Sequence, residues 1–124
     1  MTLDMDSIAA RLEADSRIVL AVIFGSAATG TLREGSDVDI GVLLDPELTP
    51  QEFFSFYQDL ATTLSEIPEL DLVDLNHANS VLAFEALCGR RLVSRDAEAV
   101  AAFASETARQ YEDDMLHAAA RSAA

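Results

Sequence analysis

Lysine is absent from this chain of 124 residues, and all its permanent positive charge rests on eight arginines against 22 aspartates and glutamates. A formal net charge of −14 at pH 7 repels phosphate backbones, which argues against stand-alone nucleic-acid binding. The acidity fits a basic protein partner, or simple solubility. The chain has one cysteine, so no internal disulfide is available, as suits a reducing compartment. In the apolar run of residues 81–88, Cys88 reads as a buried small hydrophobe rather than a nucleophile. No apolar run approaches the roughly 18 residues of a membrane span, and acidic residues stand near the N-terminus where a secretory leader carries basic ones. A cytoplasmic protein with no membrane contact is expected. Neither histidine has a setting that builds a catalytic pair; His77 reads as a surface loop residue and His117 as part of the C-terminal tail. The length fits one domain, residues 1–124.

What is present begins with residues 17–24, where Ile18 to Phe24 are all apolar and many are β-branched. Such a run reads as a buried strand. It stops at Gly25-Ser26, where a glycine lets the backbone approach a ligand closely and a hydroxyl lies beside backbone N–H groups that can hold phosphate oxygens. Ten residues later comes Asp37-Val38-Asp39, opening a second strand over residues 37–44. Period 2 puts Asp37 and Asp39 on one face, their backbones roughly 6–7 Å apart. Two carboxylates so placed repel one another, and a hard divalent cation removes that cost; Mg²⁺ takes one or two carboxylates plus substrate phosphates. A Gly-Ser turn alone is common, and an Asp-x-Asp pair alone is often a solvated strand face. Their combination at two strand ends is what points to nucleotide chemistry.

Gly25-Ser26, ten residues, then Asp37-Val38-Asp39 resembles the signature of the DNA polymerase β-type nucleotidyltransferases, and in so short a chain it resembles the minimal nucleotidyltransferase (MNT) family. The likeness extends to residues 70–76 and on to 81–96. It implies an α/β fold, a small mixed β-sheet flanked by helices. MntA-like members are antitoxins beside HEPN-type toxin ribonucleases. The resemblance therefore implies a Mg²⁺-dependent protein adenylyltransferase, with ATP as co-substrate and a toxin tyrosine as acceptor, in a hetero-oligomer with the toxin. Catalysis and metal binding fall to Asp37, Asp39 and a third carboxylate on a later strand; nucleotide binding falls to Gly25, Ser26, Arg33 and Ser36. For the third carboxylate Asp71 and Asp74 compete, and Asp71, which precedes Leu72-Val73 as in the relatives' pattern, is the choice. One departure from the family is that relatives often carry arginines just after the Gly-Ser, where this chain has Ala27-Ala28-Thr29. Arg33 is the only basic residue left in that loop, so either ATP binds weakly or a partner supplies charge.

Elsewhere the pattern predicts an amphipathic helix over residues 4–14 and a short helix from Gly25 to about Leu32, its N-terminus toward bound phosphates. Asp45-Pro46 breaks the chain. Thr49-Pro50-Gln51-Glu52 has the form of a capping box, opening a helix to about Ser65 with Phe53, Phe54, Phe56, Tyr57, Leu60 and Leu64 as a core stripe. A third strand over 69–76, a helix over 80–88 ended by Gly89, and a short edge strand at 90–94 with two arginines follow. From about Asp96 an Ala-rich amphipathic helix presents Val100, Phe103, Thr107 and Tyr111 on one face. Two other functions remain open: a catalytically weak antitoxin that neutralises by binding, and a small-molecule nucleotidyltransferase, for which the chain has little spare length.

Overall fold

The computed structural model describes residues 2–29 and 37–123. In chain order the elements are α1 (Met5–Glu13), β1 (Ile18–Phe24), a short 3-10 helix (Gly25–Thr29), β2 (Val38–Leu44), α2 (Pro50–Thr63), β3 (Leu70–Asp74), α3 (Ser80–Leu87), β4 (Arg90–Ser94) and α4 (Ala97–Ala123). The four strands form one mixed sheet in the order β3-β2-β1-β4. β1 runs antiparallel to both neighbours, whereas β2 and β3 are parallel.

The unbroken apolar character of β1 follows from cover on both faces. Ala21 and Ile23 point into a core built with Ile8 and Leu12 of α1 and Phe56 and Leu60 of α2. Leu20, Val22 and Phe24 point the other way, to a smaller core with Ala86 of α3 and Val100 of α4. In β2, Val38, Ile40 and Val42 join the first core, which leaves Asp39 on the face that α3 and α4 cover.

Local signals fix the helix ends. Asp4 caps α1 by accepting from the Ser7 N–H at 3.1 Å. At α2, Thr49 accepts from the Glu52 N–H at 3.2 Å and the Glu52 carboxylate from the Thr49 N–H at 2.9 Å, so the capping box forms. Arg11 of α1 donates to the Thr63 carbonyl at 2.8 Å and pairs with Glu66, tying the first helix to the end of the second. That guanidinium holds the Glu66 carboxyl at about 2.

β3 is an edge strand, and its outer side is closed by a side chain. The Tyr57 hydroxyl donates to the Leu70 carbonyl at 2.6 Å and accepts from the Leu72 N–H at 3.1 Å, so α2 grips the strand on either side of Asp71. At the other end of the ladder the Asn76 amide takes the place of a strand residue, accepting from the Leu44 N–H and donating to the Leu44 carbonyl, both at 2.9 Å.

Several expectations are corrected. β2 begins at Val38, so Asp37 stands just outside the strand and is exposed. Strand β3 stops at Asp74 because Asn76 turns its side chain, not its backbone, to β2. Phe54 is 63% exposed, on the side of α2 away from the sheet. Cys88 is exposed rather than buried: α3 buries Ser80, Ala83 and Ala86, and Cys88 caps the helix off that face. Among the described residues no helix is long and apolar enough to cross a membrane.

Replacing Tyr57 by Phe leaves two half-buried β3 backbone groups without their partner and is expected to lower unfolding free energy by about 0.5–1.5 kcal/mol, read from urea unfolding. Glu66→Gln tests the α1–α2 tie. Because the folded carboxyl is held below its ordinary value of 4.5, the stabilisation is complete above that value and fades as pH falls toward 2. Wild type is expected to exceed the variant by under about 1 kcal/mol at pH 7, the pair being solvated, with the gap closing in acid.

Candidate functional site

One end of the sheet gathers the residues of interest. The parallel register of β2 and β3 sets Asp39 directly beside Asp71, and the antiparallel register of β1 and β2 sets Phe24 beside Asp39. The row across the sheet is therefore Asp71, Asp39, then the end of β1 with Gly25. All of this lies on the α3/α4 side.

The Asp39 and Asp71 carboxyl groups are close enough to hydrogen-bond, and Asp39 is pushed above the usual carboxylate range. Partial burial is the main cause, followed by the Asp71 charge; Asp37 and Glu85 of α3 act in the same direction. Such a pair is costly while both members are ionised, and like charges directly opposite on adjacent strands destabilise a sheet. The arginines described in contact with other groups are occupied elsewhere: Arg11 with Glu66, Arg17 with Asp15, Arg109 with Glu106, and Arg95 with the Ile18 carbonyl at 2.7 Å.

Gly25 has a φ of 70°, a backbone region that L side chains rarely adopt. Its surroundings enforce the same choice, since a Cβ at this position would lie 2.7 Å from the Asp39 Oδ2. The Gly25 backbone thus approaches the carboxylate as no other residue can. Ser26 follows, exposed, in the 3-10 helix. The helix expected to run to about Leu32 is described only to Thr29; Arg33 and Ser36 lie outside the described residues.

Of the candidate carboxylates, the structure brings Asp39 and Asp71 together and places Asp37 near enough for its charge to act on Asp39. Among the described residues no three acidic, histidine or cysteine side chains stand close enough to hold a metal alone. Two oxygens from Asp39 and Asp71 nonetheless suit a hard cation that completes its shell with phosphate oxygens and water, and such a cation would relieve the repulsion between them. Asp74 is engaged elsewhere, 2.8 Å from the His77 ring, and His77 also reaches Glu47 at 3.0 Å. Both acidic neighbours raise the His77 pKa, the hydrogen bond to Asp74 most.

Sequence reasoning missed the cavity that flanks Gly25 on the side away from the carboxylates. Its volume is about 400 Å³, and Phe24, Ala28, Phe84, Glu85 and Cys88 line it with Gly25 and Gly89. The run 81–88 carried the signal, but nothing in its spacing shows that its last turn lies against the end of β1. Gly89 makes that approach possible: a Cβ there would lie 2.4 Å from the Ile23 carbonyl oxygen.

The family model for polymerase beta nucleotidyltransferases matches residues 6–98. The protein adenylyltransferase MntA of Shewanella oneidensis is 38% identical over 66 residues, which are 53% of this chain and 46% of MntA; the match thus spans about half of that relative. A crystal structure of a toxin–antitoxin with AMP-PNP superposes with a TM-score of 0.76 at 28% identity, covering 93% of each chain. A mutant of the toxin–antitoxin MntA–HpeT gives 0.78 at 28% identity, covering 95% of this chain and 94% of the other.

Removing one charge from the pair separates its cost from its use. Without metal at pH 7, Asp39→Asn is expected to be more stable than wild type by up to about 1 kcal/mol, measured as a higher urea midpoint at unchanged slope. A lower midpoint would show that the two carboxylates do not strain the fold.

Proposed function

Because the chain belongs to the polymerase beta nucleotidyltransferase family, we propose that it is an antitoxin that transfers AMP from ATP to a tyrosine of a HEPN-type toxin, releasing pyrophosphate. The observation that carries this reading is the row Asp71, Asp39, Gly25 across one end of the sheet. The similarity to MntA, a protein adenylyltransferase, and to a toxin–antitoxin with AMP-PNP supports both the reaction and the partner.

In this reading Asp39 and Asp71, joined by Asp37, would hold Mg²⁺, and a cation held there would neutralise phosphate charge and favour in-line displacement at the α-phosphorus. The Gly25 backbone lets the polyphosphate come close to the carboxylates without a side chain in the way, and Ser26 adds a hydroxyl beside it. Asp71, at the far end of the row, accepts the proton of the attacking tyrosine hydroxyl. The tyrosine oxygen forms a bond to the α-phosphorus as the bond to the bridging oxygen of pyrophosphate breaks. Tyr57, which grips β3 through the backbone on both sides of Asp71, positions that base without touching substrate.

One observation favours a second reading, neutralisation by contact alone: residues 27–29 carry no arginine, so the phosphates would lack the charge that relatives provide there. The experiment that separates the two mixes the chain with its toxin, labelled ATP and Mg²⁺ and follows label and toxin mass. Wild type is expected to add AMP to the toxin, and Asp37→Ala/Asp39→Ala to lose transfer by at least about 10²-fold while still folding. A double variant that transfers label, or protects cells fully without transfer, would overturn the catalytic reading. Chelation of the metal is expected to stop transfer by wild type in the same assay.

A further inference from the structure

We infer that a second cavity, between α3, α4 and the far ends of β2 and β3, binds a small organic cation: an ammonium or guanidinium group on an aliphatic stem. The inference does not rest on the transferase reading. The cavity has a volume of about 300 Å³, at the lower end of the roughly 300–1,000 Å³ usual for small-molecule sites. Leu43, in its lining, follows Asp39 along β2 by about 13 Å at the ordinary strand rise and shares its face of the sheet. Leu75 also lines the cavity, and its side chain lies 3.1 Å from where a Cβ on Gly41 would be. It thus stands between the cavity and the carboxylate row.

A hydroxyl that the fold does not use carries the inference. Thr107 of α4 is 7% exposed and lines the cavity. In α2 the Thr62 and Thr63 hydroxyls donate to the carbonyls of Gln58 and Asp59, both at 3.0 Å, the usual resort of a threonine inside a helix. Among the described residues the Thr107 hydroxyl has neither such a bond nor any other partner, yet no fully enclosed side-chain oxygen or nitrogen lacks one. The Thr107 oxygen therefore opens on the cavity. The other polar groups of the lining offer mainly acceptors. Ser80 donates its proton to Asp114 at 2.6 Å, and Gln110 donates an amide N–H to the same carboxylate at 3.0 Å, which leaves the Ser80 oxygen and the Gln110 carbonyl oxygen to accept. Glu106 gives one oxygen to Arg109 at 2.6 Å and keeps the other. Leu43, Leu75, Ala83 and Phe103 supply the apolar part of the wall.

Acceptors and a carboxylate beside a carbon surface fit a donor head on an apolar stem. The net charge of −14 also concentrates cations around the chain. An anion would meet like charge at Glu106, and a purely apolar ligand would leave the Thr107 hydroxyl unpaired. Two sources carry the required chemistry: a free alkylamine or alkylguanidine, and the lysine or arginine side chain of a docked protein.

The probe is n-butylguanidinium, with neutral n-butylurea as its control, titrated into the full chain by calorimetry and followed by the NMR signals of Leu43, Leu75 and Phe103. Butylguanidinium is expected to move those signals with a Kd on the order of 1 mM, as suits so small a ligand, and butylurea to bind at least about threefold more weakly. Thr107→Val removes the hydroxyl at nearly constant shape. Its urea midpoint is expected to equal or exceed that of wild type, because no internal bond is lost, while Kd rises about fivefold. Glu106→Gln is expected to weaken butylguanidinium about threefold and to leave butylurea unchanged. Silent cavity signals, equal binding of the two probes, or a Thr107→Val chain with a lower urea midpoint and unaltered Kd overturns the inference. Repeating the titration on the chain bound to the toxin partner proposed above separates the sources. Retained binding assigns the cavity to a free cation; lost binding, with Thr107→Val also weakening the complex, assigns it to a basic side chain of the partner.

Discussion

Two carboxylates held side by side by the hydrogen-bond register of parallel strands are the constraint around which the rest of the structure is arranged. Asp39 and Asp71 oppose each other because β2 and β3 pair with Val38 beside Leu70 and Ile40 beside Leu72, and those apolar neighbours are locked into the larger core. A slip of one residue along β3 would separate the carboxylates, but it would also turn Leu70 and Leu72 out of that core. The apolar face therefore enforces the unfavourable polar one. The Tyr57 hydroxyl on one side and the Asn76 amide beyond the strand end add hydrogen bonds that only this register satisfies.

Backbone geometry extends the same arrangement toward the substrate side. β1 is buried on both faces, so its end is fixed to within the packing of two cores, and Gly25 leaves it in a conformation closed to other residues. The Asp39 carboxylate fills the space where a side chain would be. Gly89 plays the matching part beyond β1, where α3 closes on the sheet. Two glycines without side chains thus set the distance from the acidic pair to the carbon-lined cavity, and neither could be replaced without moving one of the walls.

Much of this was legible in the sequence because short-range rules carried it. The apolar run 18–24, the Thr49-Pro50-Gln51-Glu52 box and the glycine after Leu87-Cys88 each specify an element through local sterics and hydrogen bonds, and each element formed. The choice of Asp71 over Asp74 rested on the relatives' Asp-Leu-Val pattern, and the parallel register that sets Asp71 beside Asp39 was not legible in the sequence. What stayed hidden depends on contacts between distant segments. Phe54 matched the helical stripe yet faces water, on the side of α2 away from the sheet. Cys88 matched an apolar run, but it caps the helix just past Ala86, the last residue of α3 that the core buries. The cavity and the Tyr57 grip on β3 each join segments that no local pattern connects.

The use made of arginine bears on how such a site handles phosphate. Arg11 joins α1 to the end of α2, Arg17 pairs with Asp15 and lies 5.2 Å over the Phe56 ring, and Arg95 binds the Ile18 and Asp15 carbonyls at the junction of β4 with α4. These guanidinium groups act as staples between elements, and moving one to the site would open a seam. In a chain with eight arginines and no lysine, positive charge spent on the scaffold is not available to a triphosphate. A basic partner docked over the acidic end of the sheet would then contribute more than an acceptor hydroxyl: its cations would offset the phosphate charge at the moment of transfer. That coupling would make nucleotide affinity in the proposed reaction depend on the partner's presence, and it gives a physical reason for the proposed transfer to run inside a complex.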